Sequence, residues 1–227
     1  MKQLHAIRPL SLLGVLSLSA AMLVAQATVP NRALLLEMAA NSKRLTHYEW
    51  KQRVTVVHRG KPAEPIISKV SFDGAGQMQR TTISAPQAKQ MSGFRGRIAG
   101  QVQEKVKEDV KNIMQLAGEY NKPQQMAQAI RKATITPEGN STLRVQAAGI
   151  INPQDSMTML VDSGSHLAKH VDINTMYEGA PMTIAQDYGP VPDGPNAMKQ
   201  MRVAVPNKEL AVNVDSYDFA QNTSARR

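Results

Sequence analysis

The chain has 227 residues, no cysteine, 27 Lys and Arg against 18 Asp and Glu, and one Trp, three Phe and five Tyr beside 13 Met. Lack of cysteine excludes disulfide frameworks, thiolate metal sites, cysteine nucleophiles and an acylated N-terminal cysteine. The length suits an ordinary hydrophobic core, and the basic residues are scattered rather than gathered as a nucleic-acid footprint would gather them.

Residues 1–27 combine a basic start (Met1-Lys2, Arg8), an apolar run from Leu10 to Val24, and Ala25-Gln26-Ala27. This pattern predicts a secretory signal cleaved near Ala27. The apolar run is shorter than the roughly 20 residues that span a bilayer. The leader removes two basic and no acidic residues, leaving a net charge of about +7. Outside the cytoplasm such a surface suits an anionic membrane surface or envelope polymer as partner, and no nucleic acid is expected.

Asn31 is placed to cap a helix running to Leu45, with Leu34, Leu35, Met38 and Leu45 close to one stripe. The period then becomes two. Tyr48, Trp50, Gln52, Val54 and Val56 face one way, and Glu49, Lys51, Arg53 and Thr55 the other. Gly60-Lys61-Pro62 reads as a loop, Ile66 to Phe72 as a second strand, and Gln77 to Ile83 as a third after the Asp73-Gly74-Ala75-Gly76 turn. The three form an antiparallel meander.

Between Arg97 and Tyr120 the apolar positions Ile98, Val102, Val106, Val110, Ile113, Ala117 and Tyr120 recur at helical spacing. Asn121-Lys122-Pro123 ends that helix and opens another to Lys132, so a helical hairpin is expected. Seven short strand patterns follow: 134–136, 141–148, 156–161, 167–176, 182–188, 198–205 and 210–217. Connections this short exclude parallel crossovers. The fold class is α+β: a strongly curved, mostly antiparallel sheet of about ten strands, an unclosed barrel covered by the N-terminal helix and the inserted hairpin. No composition shift divides residues 28–220, a single domain, and 221–227 reads as a disordered tail.

Met159-Leu160-Val161-Asp162-Ser163-Gly164-Ser165 resembles an aspartic-protease loop, whose chemistry needs two carboxylates sharing a proton. Only one such loop is present, and a hairpin turn accounts for it. His166 and His170 are placed in a strand, where residues four apart are about 13 Å from each other and cannot share a metal. There is no G-x-S-x-G elbow or phosphate-binding glycine loop. No catalytic residue, metal site or cofactor is assigned, and the protein is read as a non-enzyme.

Tyr48-Glu49-Trp50, the run from Val70 to Gln77, and Met159-Leu160-Val161-Asp162 through Val171-Asp172-Ile173, in this order of elements, resemble the periplasmic lipoprotein carrier and receptor superfamily (LolA/LolB-like). They are also similar to an uncharacterised group of secreted bacterial proteins. The resemblance covers nearly the whole exported chain. It implies an unclosed barrel whose helices cover an apolar cavity for acyl chains, and a periplasmic or secreted location. The chain departs from the carriers in its few aromatics, and from the receptors in lacking the anchoring cysteine.

The expected function is to bind a lipid or lipidated protein between the curved sheet and a helix centred on Val106 and Val110. The alternative is an envelope interaction or scaffold protein with a filled interior. Candidate lining residues are Trp50, Val54, Val70, Phe72, Val102, Val106, Val110, Met157, Met159, Val171, Ile173 and Ile184.

Overall fold

A computed structural model describes residues 29–85, 93–192 and 194–222; at 29–30 and 93–103 only the backbone is described. The signal segment and its cleavage point lie outside these residues. Among the described residues there are three α-helices: α1 (Val29–Leu45), α2 (Gly93–Tyr120) and α3 (Pro123–Lys132). The strands are β1 (Tyr48–His58), β2 (Lys61–Pro62), β3 (Ile66–Phe72), β4 (Met78–Ser84), β5 (Thr134–Pro137), β6 (Thr142–Ala148), β7 (Ser156–Asp162), β8 (Ala168–Tyr177), β9 (Ala180–Pro190), β10 (Asn196–Val205) and β11 (Leu210–Gln221).

All eleven strands join one sheet in the order β4-β3-β1-β11-β10-β9-β8-β7-β6-β5, with β2 paired to the end of β1. The pairings are antiparallel, and β4 and β5 are its two ends, so the sheet is not closed. Short hairpins carry the chain from β5 to β11, and β1 closes against β11 across 167 residues of sequence between Lys51 and Asp218. Register shifts interrupt four pairings, leaving Ile83, Lys169, Lys199 and the Asp218–Phe219 step as extra residues. Each such bulge increases local twist, which bends the sheet around the helices.

The concave face carries the core. Val145, Met157, Met159, Val161, Val171, Ile173, Met182, Ile184, Val203, Val205 and Val212 are fully buried against Leu34, Ile113, Ala117, Tyr120 and Ile130 of the helices. The convex face keeps the charged alternates in water, the usual division for an antiparallel sheet. Among the described residues, no helix is long and apolar enough to cross a membrane.

Several details differ from the sequence reading. Asn31 lies inside α1, and its buried side chain donates to the Ile130 carbonyl at 2.7 Å, tying α1 to the end of α3. Lys61-Pro62 pairs with Val57-His58 because the chain doubles back immediately after Gly60. Gln221 continues β11 opposite Tyr48, and the Asn222 amide donates to the His47 carbonyl at 2.7 Å, so the strand extends into the expected tail. Residues 223–227 lie outside the described residues. His166 sits at φ 56 in the β7–β8 turn rather than in a strand.

The loop after β9 shows how tightly the first strand is seated. A Cβ at Gly194 would lie 2.6 Å from the Tyr48 hydroxyl oxygen and 2.7 Å from Cζ, and the Tyr48 ring is buried against Val191 and Ala197. Gly194→Ala is therefore expected to lower stability by about 1–3 kcal/mol through overpacking, measurable as a drop in thermal unfolding midpoint.

Candidate functional site

The concave face is not uniformly apolar. In register across four strands, Ser216 of β11 lies opposite Gln52 of β1, Gln52 opposite Ser68 of β3, and Ser68 opposite Thr82 of β4. Gln52, Ser68 and Ser216 are 4 %, 3 % and 7 % exposed. Alternation produces this row: polar residues occupy inward positions in strands whose other inward positions are Trp50, Val54, Val70, Phe72, Val212 and Val214.

One cation enters the row. Arg80 stands opposite Val70, on the inner side of β4, and its guanidinium Nη2 donates to Gln52 Oε1. Gln52 Nε2 in turn donates to Ser216 Oγ at 3.3 Å. Burial lowers the Arg80 pKa, and no carboxylate pairs with it among the described residues. Taking an ion out of water costs several kcal/mol unless a counter-charge compensates.

On one side of this row lies an aromatic cluster. Trp50 stacks on Phe219 at 5.6 Å and 20°, meets Phe72 at 5.9 Å and 52°, and packs with Val70, Leu45 and Met78. Lys199, the extra residue of the β10 bulge, places Nζ 4.0 Å from the Phe219 ring centroid, and burial lowers its pKa. On the other side, Val54 and Val56 of β1 and Val106 and Val110 of α2 are only partly buried at the margin of the main core. Ile66, opposite Val54, is 40 % exposed.

The second half of α2 is fastened to the sheet by polar contacts. Lys208 Nζ, from the turn between β10 and β11, donates to Asp109 at 2.8 Å and Glu178 at 2.6 Å, and Tyr177 donates to Asp109 at 3.1 Å. The two carboxylates raise the Lys208 pKa. Burial opposes ionisation of Asp109, but the bonds from Lys208 and Tyr177 outweigh it and lower its pKa. At the helix end, the Tyr120 hydroxyl meets Asp155 at 2.8 Å and Thr175 at 2.7 Å, and Gln186 donates to Asn121 at 2.8 Å. Lys208→Met should cost about 2 kcal/mol, because Asp109 is left partly buried without its cation. Faster amide exchange in the second half of α2 would report it.

The sequence-predicted lining residues fall into three groups. Met157, Met159, Val171, Ile173 and Ile184 are fully buried in the main core beneath the end of α2 and α3. Trp50, Val70 and Phe72 form the separate aromatic cluster. Val54, Val106 and Val110 are partly buried against the edge of the main core, while the Val102 side chain lies outside the described residues. In the described part of α2, Ile113, Ala117 and Tyr120 are fully buried, while Val106 and Val110 are partly buried. Sequence reasoning missed Arg80, Ser68 and Ser216; the alternation that turned Gln52 inward was the available signal.

The residues singled out in the sequence as possible chemical groups make the following contacts. Asp162 Oδ1 accepts from the Ser165 amide at 2.9 Å, the Gly164 amide at 3.1 Å and Ser165 Oγ at 3.1 Å, closing the hairpin between β7 and β8. The Ser165 amide, then Lys169 and Ser165 Oγ, hold its carboxyl well below the usual carboxylate range. On the convex face, His170 Nδ1 is 2.6 Å from Asp187 and Nε2 is 2.9 Å from Asp172. Partial burial opposes its charge, but the two carboxylates outweigh burial and raise its pKa. Beside it, Arg53, Asp187, Lys199, Asp215 and Tyr217 border an open depression of about 620 Å³. Among the described residues, no three His, Asp or Glu side chains gather around a common point for a metal.

No family model and no curated protein matches the chain. Among solved structures it is similar to a DUF1329 family protein from Desulfovibrio piger, at 11 % identity over 86 % of this chain and 95 % of that one, with a TM-score of 0.43. It is also similar to a candidate outer membrane lipoprotein-sorting protein domain from Vibrio parahaemolyticus, at 8 % identity over 84 % and 91 % of the two chains, TM-score 0.43. A LolA superfamily protein from Nitrosomonas europaea matches at 9 % identity over 84 % and 93 %, TM-score 0.40.

Proposed function

We propose that this protein is exported and binds the acyl chain of a lipid or lipidated protein on the concave face between β1, β3 and α2. The observation that carries the reading is the division of that face. The main core and the aromatic cluster are separated by a polar row, and the margin between them leaves Val54, Val56, Val106 and Val110 incompletely covered. A folded interior with no guest would gain by filling these positions with larger apolar side chains.

Burying each methylene contributes about 0.8 kcal/mol, so eight of them supply roughly 6 kcal/mol before the cost of association. Such binding needs no catalytic group, and the protein acts as a carrier rather than an enzyme. The basic surface, about +7 without the leader, would bring the protein to an anionic membrane or envelope polymer.

The test is native mass spectrometry of the protein expressed with its leader and purified without detergent. The reading predicts adducts with lipid masses that disappear on organic extraction. A bare polypeptide mass, together with no uptake of added fatty acid, would contradict it and favour the scaffold role.

A further inference from the structure

We propose that the amphiphile taken up on this face carries an oxyanion head, a carboxylate or a phosphate, and that Arg80 holds this head while the chain runs past Val54 toward Val106 and Val110. This inference rests on the carrier reading and specifies the ligand of the same site.

The geometry is that of a half-formed anion site. A guanidinium carries five N–H donors in a planar fork and matches a carboxylate or phosphate with two parallel bonds. Arg80 makes one bond, to a neutral amide oxygen. Gln52 is itself oriented by Ser216, so its oxygen faces Arg80 and fixes the direction of the fork without neutralising the charge. The remaining donors have no acceptor among the described residues.

Several other cations of the chain are paired with carboxylates. Arg144 grips Glu138 through Nε and Nη2, Lys208 bridges Asp109 and Glu178, Lys51 meets Asp218, and Lys69 meets Glu49. Arg80 is more deeply placed than Arg144 or Lys51, on an inner face, and like Arg131, whose Nε and Nη2 are buried without a partner, it meets no carboxylate among the described residues. A cation positioned by a neutral acceptor on Gln52, two residues along β1 from the partly buried Val54, is complementary to an acidic amphiphile. A neutral one would leave the charge uncompensated.

Trp50 is the single tryptophan and shares the register row of Val70 and Arg80, so its fluorescence reports directly on this site. Titration with dodecanoate, dodecyl phosphate and dodecanol, each below its micelle-forming concentration, is the test. The wild type should bind at least one of the acids about tenfold or more tightly than the alcohol, and whichever acid binds better identifies the head. Arg80→Gln should abolish that preference while leaving dodecanol affinity unchanged, a result that loss of folding alone does not produce.

Equal affinity for acid and alcohol in the wild type, or a preference that survives Arg80→Gln, would overturn the assignment to Arg80 and leave the carrier reading standing. Failure of all three ligands to bind would overturn both. If Arg80→Gln does not fold, carbon-13 NMR of carboxyl-labelled dodecanoate on the wild type decides. A bound carboxyl pKa below that of the free acid supports the proposal, and an unchanged or raised value contradicts it.

Discussion

Asp155→Ala is expected to lower the unfolding free energy by about 3–5 kcal/mol. Asp155 is 1 % exposed and accepts four bonds: Thr175 Oγ1 at 2.7 Å, the Tyr120 hydroxyl at 2.8 Å, and the Ile151 and Asn152 amides at 2.9 and 2.6 Å. Removing the carboxylate leaves a buried phenol, a buried hydroxyl and two amides short of an acceptor. Burial pushes the Tyr120 pKa up to about 12, so this donor keeps its proton throughout the ordinary pH range.

The sign of the pH effect follows. Burial raises the Asp155 pKa, but the bonds from Asn152, Thr175, Tyr120 and Ile151 outweigh it, and the folded carboxyl titrates below its usual value. Its stabilisation is therefore fully present above the unfolded carboxyl pKa of about 3.9 and is lost as pH falls through the lower folded value. Urea denaturation followed by circular dichroism at pH 7 and pH 3 should show a larger loss in the wild type than in Asp155→Asn, where this group no longer titrates.

Ile173→Ala should cost about 2–5 kcal/mol and leave acyl-chain affinity within twofold. Ile173 is fully buried in the main core. Val110→Ala should behave in the opposite way. Val110 is only partly buried, so about 1 kcal/mol of stability is at stake, whereas binding of a dodecyl chain should weaken severalfold. Paired denaturation and Trp50 fluorescence titrations separate the two classes. Equal binding losses in both variants would show that residues beneath α3 also line the cavity.

Much of the fold was legible because local periodicity reports which face of an element is buried. β3 and α3 match the sequence reading residue for residue, since Ile66 to Phe72 alternates cleanly and Pro123 opens a short helix after a turn. What periodicity omits is the partner across the sheet. The Asp187 partner of His170 and the Arg80 partner of Gln52 depend on strand register, set by the β8–β9 pairing in one case and by the β1–β3 and β3–β4 pairings in the other. Asn31 looked like a cap because its type favours that role, and the tertiary contact with Ile130 overrode it. For the same reason, inward-facing apolar residues could be named from sequence, while the division between closed core and open margin required knowing where α2 is anchored.

The most direct measurement is photocrosslinking of the purified protein with dodecanoate bearing a diazirine near the end of its chain, followed by peptide mapping. Label should concentrate on the inner residues of β1 and β3 and on α2, at Val54, Ile66, Val106 and Val110. Label confined to the convex depression around Arg53 and Tyr217, or incorporation no greater than into the denatured chain, would contradict the account.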